Sequence, residues 1–282
     1  MTSVADSLRA GTDVLQNAAV PDAIQQASSL LQFAIGRDRT FIIAHPEYVL
    51  TAAEDKVFWD TIARRAAREP YQHIVGHQEF YGLDFTVTPD VLIPRPETEL
   101  IVERAIELLR GLLSPRFLEI GVGSGCISVA ILKQVPNASA LAVDISEPAL
   151  KIADRNARMH EVLDRLQLMQ SDVFESVTEN TFDLIVSNPP YVPLAQYDGL
   201  QPEVRDHDPR VALTDGSTGF TIIERITFGA PGFLRPTGRL LMEIGFGQHQ
   251  QVDSFFDRKQ WMSVNFIDDL QGIPRTVEAV LA

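Results

Sequence analysis

Residues 116–126, RFLEIGVGSGC, decide the fold. The run FLEI is short and continuous, as expected for a strand buried on both faces of a parallel sheet. Three glycines alternate through the next five residues, and a predicted helix begins at Cys126. Glycine permits a tight turn and a close ligand approach, and the start of a helix has free N–H groups. The stretch predicts a strand, a turn and a helix. The turn either binds a ligand or serves only as a tight connection between the strand and the helix.

The alternation of strands and helices continues through the chain from Pro94 onward. Strands are predicted at 116–120, 139–143, 166–169, 182–186, 238–244, 261–267 and 275–281. Helices are predicted at about 97–111, 126–134, 147–160, 218–230 and 248–256. This order predicts an α/β fold with a doubly wound, mostly parallel seven-stranded sheet, whose ligands bind at the carboxyl ends of the strands.

The first 70 residues have a different pattern, typical of a small helical bundle. Apolar residues recur at helical spacing, Gly36 ends the second predicted helix, and Thr51 with Glu54 can form a capping box for a later helix. Runs rich in β-formers on either side of Gly82 then predict a hairpin. We therefore predict three parts: a helical domain over 1–70, a hairpin linker over 71–90 and an α/β domain over 91–282.

Two acidic residues flank the glycine turn. Asp144 ends the next predicted strand, where a carboxylate can accept both hydrogen bonds of a ribose diol, although it can also serve only as a helix cap. Glu119 lies within an apolar strand and needs a partner, either a cationic ligand group or a structural ion pair. The spacing G-x-G-x-G departs from the G-x-G-x-x-G of dinucleotide sites, which disfavours a pyrophosphate ligand.

The second chemical motif is Asn188-Pro189-Pro190-Tyr191, which follows the strand FDLIV directly. Two prolines cannot continue a central strand and instead form a rigid, extended exit from the sheet. The side-chain carbonyl of Asn188 and the backbone carbonyl of Pro189 can together accept hydrogen bonds from an NH₂ group on a planar carbon. Tyr191 can pack against the flat face of that group. The alternative is a proline-rich turn that the asparagine stabilises.

Composition restricts the function classes. The net charge is −14, and residues 1–84 carry 7 Lys/Arg against 11 Asp/Glu, so neither part of the chain is basic and a nucleic-acid duplex is disfavoured. A single cysteine, Cys126, suits the reducing cytoplasm. No signal peptide or membrane span is predicted. His73 and His77 are four residues apart in a predicted strand, where that spacing forms no zinc-binding helix face, and we predict no metal.

Together these motifs resemble a class I S-adenosylmethionine-dependent methyltransferase that acts on amino groups. The segment EPYQHIVGHQEFYGLDFTVTPDVLIPRPETE, residues 69–99, is more specific and resembles the peptide chain release factor glutamine N5-methyltransferases. The resemblance spans nearly the whole chain and is strongest over 71–99, 117–126 and 183–191. Val122 and Ser124 stand where many members have threonine, and both are small enough that little change is expected.

The resemblance implies a role for each matching position. It implies that the glycine turn and its neighbours hold the cofactor, through Glu119, Gly121, Val122, Gly123, Ser124, Gly125 and Asp144. It places the adenine near two residues of QSDVF, Asp172 and Val173. It places a segment that closes over the cofactor at Arg95, Thr98 and Glu99, although Arg95 can also serve in a salt bridge. It assigns the target amide to Asn188, Pro189, Pro190 and Tyr191, of which Asn188 also borders the cofactor.

The resemblance also implies the reaction and the partner. It implies methyl transfer from S-adenosyl-L-methionine, with S-adenosyl-L-homocysteine as product, to the glutamine of the Gly-Gly-Gln motif in class 1 release factors. The helical domain is then expected to dock the substrate. We expect a monomer with no nucleic-acid partner and no membrane association. The alternatives are a glutamine methyltransferase of a ribosomal protein, a DNA or RNA amino-methyltransferase, and a nucleotide-binding module or NAD-dependent oxidoreductase.

Overall fold

The computed structural model describes residues 2–178 and 181–282. Its helices are α1 (Val4–Asn17), α2 (Ala23–Ile35), α3 (Arg39–Ala44), α4 (Ala52–Ala66), α5 (Tyr71–Val75), α6 (Glu99–Leu109), α7 (Cys126–Gln134), α8 (Glu147–Met159), α9 (Leu194–Tyr197), α10 (Pro202–Arg205), α11 (Arg210–Leu213), α12 (Thr221–Gly229) and α13 (His249–Asp253). Its strands are β1 (His77–Phe80), β2 (Leu83–Thr86), β3 (Arg116–Ile120), β4 (Ser139–Asp144), β5 (Leu166–Gln170), β6 (Phe182–Ser187), β7 (Leu234–Glu243), β8 (Trp261–Asp268) and β9 (Pro274–Leu281).

These elements form two compact units. The first runs through Gly76 and includes Gln201–His207, and the second comprises His77–Leu200 and Asp208–Ala282. The predicted domain boundaries at 70 and 90 stay predictions. No helix in the described part of the chain is long and apolar enough to span a membrane.

The helices of the first unit end where their capping residues predict. The capping box of α4 is confirmed: Glu54 N–H donates to Thr51 Oγ1 at 3.3 Å, and Thr51 N–H donates to Glu54 Oε2 at 2.7 Å. Gly36 ends α2 with a left-handed φ of 62°, as predicted. The apolar faces of α1, α2 and α4 form one core that includes the fully buried Leu15, Leu30, Leu31, Phe58 and Ile62.

The segment Gln201–His207 joins this first unit through ion pairs. Glu203, on α10, accepts hydrogen bonds from Arg65 at 2.9 Å and from Arg68 at 2.7 Å. Both the Arg65 and the Glu203 side chains are largely buried. A buried charge without a partner is costly, so loss of either arginine would leave Glu203 poorly compensated.

The strand predicted around His73 is wrong, because His73 lies in the short helix α5. Pro70 precedes this helix, and Gly76 ends it with a left-handed φ of 82°. Proline before a helix and glycine after it are the usual boundaries of a short helical turn. The hairpin itself is confirmed and starts only at His77, where β1 pairs with β2 in the antiparallel sense.

The second unit contains the predicted seven-stranded sheet, in the order β5-β4-β3-β6-β7-β9-β8. The first five strands of this order are parallel, and β9 is antiparallel to both of its neighbours. In the parallel register Ile120 lies opposite both Val143 and Ser187. The three strands β3, β4 and β6 therefore end at the same level, which brings the residues that follow them to one edge.

Apolar residues cover both faces of this sheet. Along β3, Phe117 belongs to a core with α6 and α7, and Leu118 to a core on the opposite face with α12. Leu184 and Ile185 on β6 divide between the same two cores. This explains why each strand is a continuous apolar run rather than an alternating one. The short helices α9, α10 and α11 were not predicted, because four residues are too few to give a periodic pattern.

Candidate active site

A cavity of about 290 Å³ lies at the carboxyl edge of the sheet, where β3, β4 and β6 end. Its volume is close to the lower end of the range for small-molecule sites. The predicted site residues that line it are Arg95, Thr98, Glu119, Gly121, Val122, Gly123, Ser124, Asp144, Asp172, Val173, Asn188 and Pro190. Four other predicted residues, Glu99, Gly125, Pro189 and Tyr191, do not belong to its lining.

The glycine turn adopts a backbone that favours glycine at each alternate position. The φ angles of Gly121, Gly123 and Gly125 are 76°, 52° and 82°, all in the left-handed region. A Cβ atom on Gly125 would lie 3.3 Å from the backbone of Ala153 on α8, so this glycine allows the turn to pack closely on that helix. A Cβ on Gly121 would lie 3.9 Å from the carbonyl oxygen of Asn188, so the two motifs are neighbours.

Asp144 holds the turn in place and also lines the cavity. Its Oδ2 accepts the Gly123 N–H at 2.9 Å, and its Oδ1 accepts the Ser146 N–H at 2.9 Å. Burial raises the pKa of this carboxyl, while these backbone N–H groups favour its ionised form. Each carboxylate oxygen retains a further lone pair, so Asp144 can still accept hydrogen bonds from a ligand diol.

Glu119 is fully buried in β3 and lines the same cavity. Ser128, on α7, donates its backbone N–H at 3.0 Å and its hydroxyl to Glu119 Oε2. The other oxygen, Oε1, has no hydrogen-bond partner among the described residues. Burial raises the pKa of this carboxyl to about 8, above its ordinary 4.5. A buried acceptor beside a cavity fits a cationic or N–H donor of a ligand.

A chain of hydrogen bonds runs from Asn188 to a buried carboxylate. Asn188 Nδ2 donates to Thr98 Oγ1 at 3.1 Å, and Thr98 Oγ1 donates to Glu243 Oε2 at 2.7 Å. The Tyr191 hydroxyl donates to the second oxygen of Glu243 at 3.0 Å. Asn188 Oδ1 accepts no hydrogen bond from any described residue, so this acceptor is available beside the cavity.

Further contacts fix the exit from β6. Ser187 Oγ donates to the Ile120 carbonyl at 2.8 Å, which joins the ends of β6 and β3. Gln248 Nε2 donates to the Tyr191 carbonyl at 2.9 Å. Tyr191 was predicted to pack against the substrate; its hydroxyl instead faces Glu243, and the role of its ring stays a prediction.

Asp172 and Val173 follow β5, which is separated from β6 and its proline motif by β4 and β3, and both residues line the cavity. Asp172 Oδ1 pairs with Arg225 of α12 at 2.8 Å. Val173 has a φ of 53°, which is an unusual backbone conformation for a β-branched residue. Such conformations persist only where surrounding contacts enforce them, and they are common at binding sites.

Arg95 forms the salt bridge that was the alternative to a cofactor contact. Its Nη2 lies 2.7 Å from Oδ2 of the buried Asp208, and Arg95 also lines the cavity. Burial raises the pKa of Asp208 to about 6, while the Arg95 charge favours the carboxylate. The salt bridge does not prevent a ligand contact, because a guanidinium has five N–H donors.

Sequence reasoning missed Glu243, Ser128 and Asp208. Glu243 carried the same signal that identified Glu119, because it is an acidic residue at the end of the apolar run RLLME. Ser128 and Asp208 had no such signal, since serine inside a helix and aspartate in a loop are both common. Within residues 2–178 and 181–282, no group of three or more His, Cys, Asp or Glu side chains is placed to hold a metal ion.

Two family models match the chain. A model of the PrmC N-terminal domain matches residues 6–76, and a model described as methyltransferase small domain matches residues 98–199. Among solved structures, a methyltransferase from Pyrococcus furiosus aligns with a TM-score of 0.53 and 20% identity over 77% of this chain and 98% of its own. This likeness confirms the predicted fold.

Curated relatives align over most of their own length. The release factor glutamine methyltransferase of Geobacter sulfurreducens is 44% identical, over 92% of this chain and 89% of the relative. The enzyme of the same name from Koribacter versatilis is 40% identical over 93% of both chains. The one from Nitratidesulfovibrio vulgaris is 41% identical over 96% of this chain and 93% of its own. The chain therefore belongs to the release factor glutamine methyltransferase family.

Proposed function

We propose that this chain transfers a methyl group from S-adenosyl-L-methionine to the side-chain nitrogen N5 of the glutamine in the Gly-Gly-Gln motif of class 1 peptide chain release factors. The observation that carries the proposal is the position of Asn188, whose side-chain carbonyl has no donor among the described residues, beside the glycine turn and the cavity. The names and the long alignments of the relatives support the same substrate.

The residues around the cavity fit this cofactor. The unpartnered Oε1 of Glu119 suits the α-amino group of the methionine part, and the carboxylate of Asp144 suits the ribose diol. The apolar Val173 and Ile222, which also line the cavity, suit the adenine ring. When bound, S-adenosylmethionine would supply an electrophilic methyl group on a sulfonium sulfur and leave as S-adenosylhomocysteine. The glutamine nitrogen forms the new N–CH₃ bond as the S–CH₃ bond breaks, and it then releases one of its two protons to solvent.

The chain's own contribution is to orient a weak nucleophile. The lone pair of an amide nitrogen is delocalised, so attack needs a fixed orientation rather than only proximity. We propose that Asn188 Oδ1 and the Pro189 carbonyl accept the two N–H groups of the glutamine amide and direct its nitrogen toward the methyl group. The two acceptors stabilise the positive charge that develops on the nitrogen during transfer, an effect worth several kcal/mol in comparable sites.

The acidic composition supports a protein substrate over nucleic acid. With a net charge of −14, the chain lacks the excess of cationic side chains that phosphate binding needs. A release factor as substrate supports a cytoplasmic location.

Transfer of labelled methyl groups tests the proposal directly. The full chain is incubated with labelled S-adenosylmethionine and, in separate reactions, with a release factor, the same factor with its Gly-Gly-Gln glutamine replaced by alanine, ribosomal protein and DNA. We expect label only on the unmodified release factor. Label on DNA or ribosomal protein, or label that persists after loss of the glutamine, would reject the proposed substrate.

A further inference from the structure

We propose that Glu243, acting through the hydroxyl of Thr98, fixes which end of the Asn188 amide faces the cavity, so that the site accepts a glutamine amide and rejects a glutamate carboxylate. The inference rests on the proposed function, since it assigns the selectivity of the same site. It makes Glu243 and Thr98 positioning residues that act on the substrate through Asn188.

The geometry of Glu243 is that of a buried carboxylate with two hydroxyl donors. Only 3% of the residue is exposed, and its two oxygens lie 2.7 Å from Thr98 Oγ1 and 3.0 Å from the Tyr191 hydroxyl. Burial and the negative charge of Glu97 raise the pKa of Glu243, while these two hydroxyls and the charge of Arg275 favour the carboxylate. In the ionised form both oxygens can only accept hydrogen bonds.

Because a carboxylate can only accept, the hydrogen bonds from Thr98 to Glu243 and from Asn188 to Thr98 each have one possible direction. Two hydroxyls donate to the two oxygens of Glu243, an arrangement that suits its carboxylate form. A hydroxyl has one hydrogen, and with Glu243 as the carboxylate Thr98 donates that hydrogen to Glu243. Toward Asn188, Thr98 Oγ1 can therefore only accept, and the group 3.1 Å away must be the NH₂ end of the amide. The carbonyl end of Asn188 then faces away from Thr98 as an acceptor beside the cavity.

This orientation distinguishes two substrates of nearly equal shape. A glutamine side chain offers an NH₂ group with two donors, which match Asn188 Oδ1 and the Pro189 carbonyl. A glutamate side chain offers only acceptors when ionised, so it would place lone pairs against lone pairs in a buried setting. Sites built around such hydrogen bonds discriminate strongly, because the mismatched ligand leaves buried polar groups unpaired.

A matched pair of substitutions separates this role from a merely structural one. Thr98→Val keeps the shape of the side chain but removes the hydroxyl, so the Asn188 amide is free to turn over. Thr98→Ser keeps the hydroxyl. For the full chain with bound S-adenosylhomocysteine, calorimetry gives the dissociation constants of the release factor and of the same factor with its Gly-Gly-Gln glutamine changed to glutamate. The quantity compared is the ratio of the two constants.

We expect the unmodified chain to bind the glutamine form at least about tenfold more tightly. Thr98→Val should reduce this ratio several-fold toward one and lower kcat, whereas Thr98→Ser should keep most of the ratio. Loss of kcat in Thr98→Val with an unchanged ratio would overturn the inference. Should Thr98→Val fail to fold, Glu243→Gln provides the same comparison. An amide at position 243 can donate a hydrogen bond to Thr98, which would reverse the direction of the hydrogen bonds from Glu243 to Asn188. An unchanged ratio of dissociation constants in Glu243→Gln would equally overturn the inference.

Methylation of the release factor by the unmodified chain distinguishes the failure of this inference from the failure of the proposed function. If the unmodified chain methylates the glutamine form but neither Thr98→Val nor Glu243→Gln changes the ratio, the role assigned to Thr98 and Glu243 is wrong and the proposed function stands. If the unmodified chain methylates no release factor, the proposed function itself fails and the inference fails with it.

Discussion

Ser128 donates two hydrogen bonds to one oxygen of Glu119, and the other oxygen of that carboxyl has no partner among the described residues. Only one of the two oxygens of Glu119 is therefore hydrogen-bonded, although the side chain is fully buried and lines a cavity. A satisfied structural carboxyl would have partners on both oxygens. The free oxygen therefore indicates a ligand contact, and its consequences can be measured.

The first prediction concerns proton release when the cofactor binds. Because burial raises the pKa of Glu119 to about 8, this carboxyl is mostly protonated at pH 7 in the unliganded protein. A cationic amino group beside Oε1 would favour the carboxylate, so binding should release a fraction of a proton and strengthen as the pH rises from 6 to 8. Calorimetry in buffers of different ionisation enthalpy measures this release. Its absence, or equal release by Glu119→Gln, would contradict the assignment.

The second prediction concerns stability of the unliganded protein. The folded pKa of Glu119 lies above its ordinary 4.5, so the folded state holds a proton that the unfolded state loses between pH 4.5 and about 8. The free energy of unfolding should therefore fall as the pH rises through this window. Glu119→Gln removes that contribution, and its stability relative to the unmodified chain should improve with pH in urea titrations. A pH-independent difference would contradict the raised pKa.

The third prediction concerns Asp144. Asp144→Asn keeps the shape of the side chain but replaces one acceptor oxygen with a donor, against either the Gly123 N–H or the Ser146 N–H. We expect the affinity for S-adenosylhomocysteine to fall roughly 10- to 100-fold, from loss of charge-assisted hydrogen bonds worth about 1.5–3 kcal/mol each. Asp269→Asn is the matched control, because this partly buried carboxylate also accepts backbone N–H groups at a turn but does not line the cavity. Equal effects of the two substitutions would argue against a cofactor contact.

The fourth prediction separates backbone strain from close packing at glycine. Gly125→Ala introduces a residue at φ 82° and places its Cβ 3.3 Å from Ala153, whereas Gly272→Ala has a similar φ of 76° and open space around it. Each substitution should cost about 1 kcal/mol from strain, and Gly125→Ala should cost roughly 1–3 kcal/mol more from overpacking. Chemical denaturation measures both, and equal losses would show that α8 yields to the added methyl group.

Much of the fold and most of the residues proposed for the site could be predicted because they depend on local sequence. The glycine turn, Asp144 and the Asn188–Tyr191 motif each follow a strand directly, so a correct parallel topology is enough to bring them together. The boundaries of β3 and α7 agree with the prediction to the residue, since glycine and a continuous apolar run mark them.

The unpredicted part depends on contacts between distant residues. Thr98 and Glu243 are 145 positions apart, and Arg95 and Asp208 are 113 positions apart. No local pattern encodes these pairs, which exist only because β7 lies beside β6 and because the turn at 96–98 packs near the end of both strands. The chain of hydrogen bonds that orients Asn188 therefore appears only in the folded protein.

The fifth prediction tests the central claim, that the Asn188 carbonyl holds the amide of the substrate. Asn188→Ala removes this acceptor without touching Glu119 or Asp144, so the dissociation constant for S-adenosylmethionine should change little, by less than about threefold. Loss of one oriented hydrogen bond in the transition state should lower kcat by at least about 100-fold. The decisive measurement is single-turnover methylation of the release factor by Asn188→Ala at saturating cofactor. We predict a rate near background, and a rate equal to that of the unmodified chain would contradict the account.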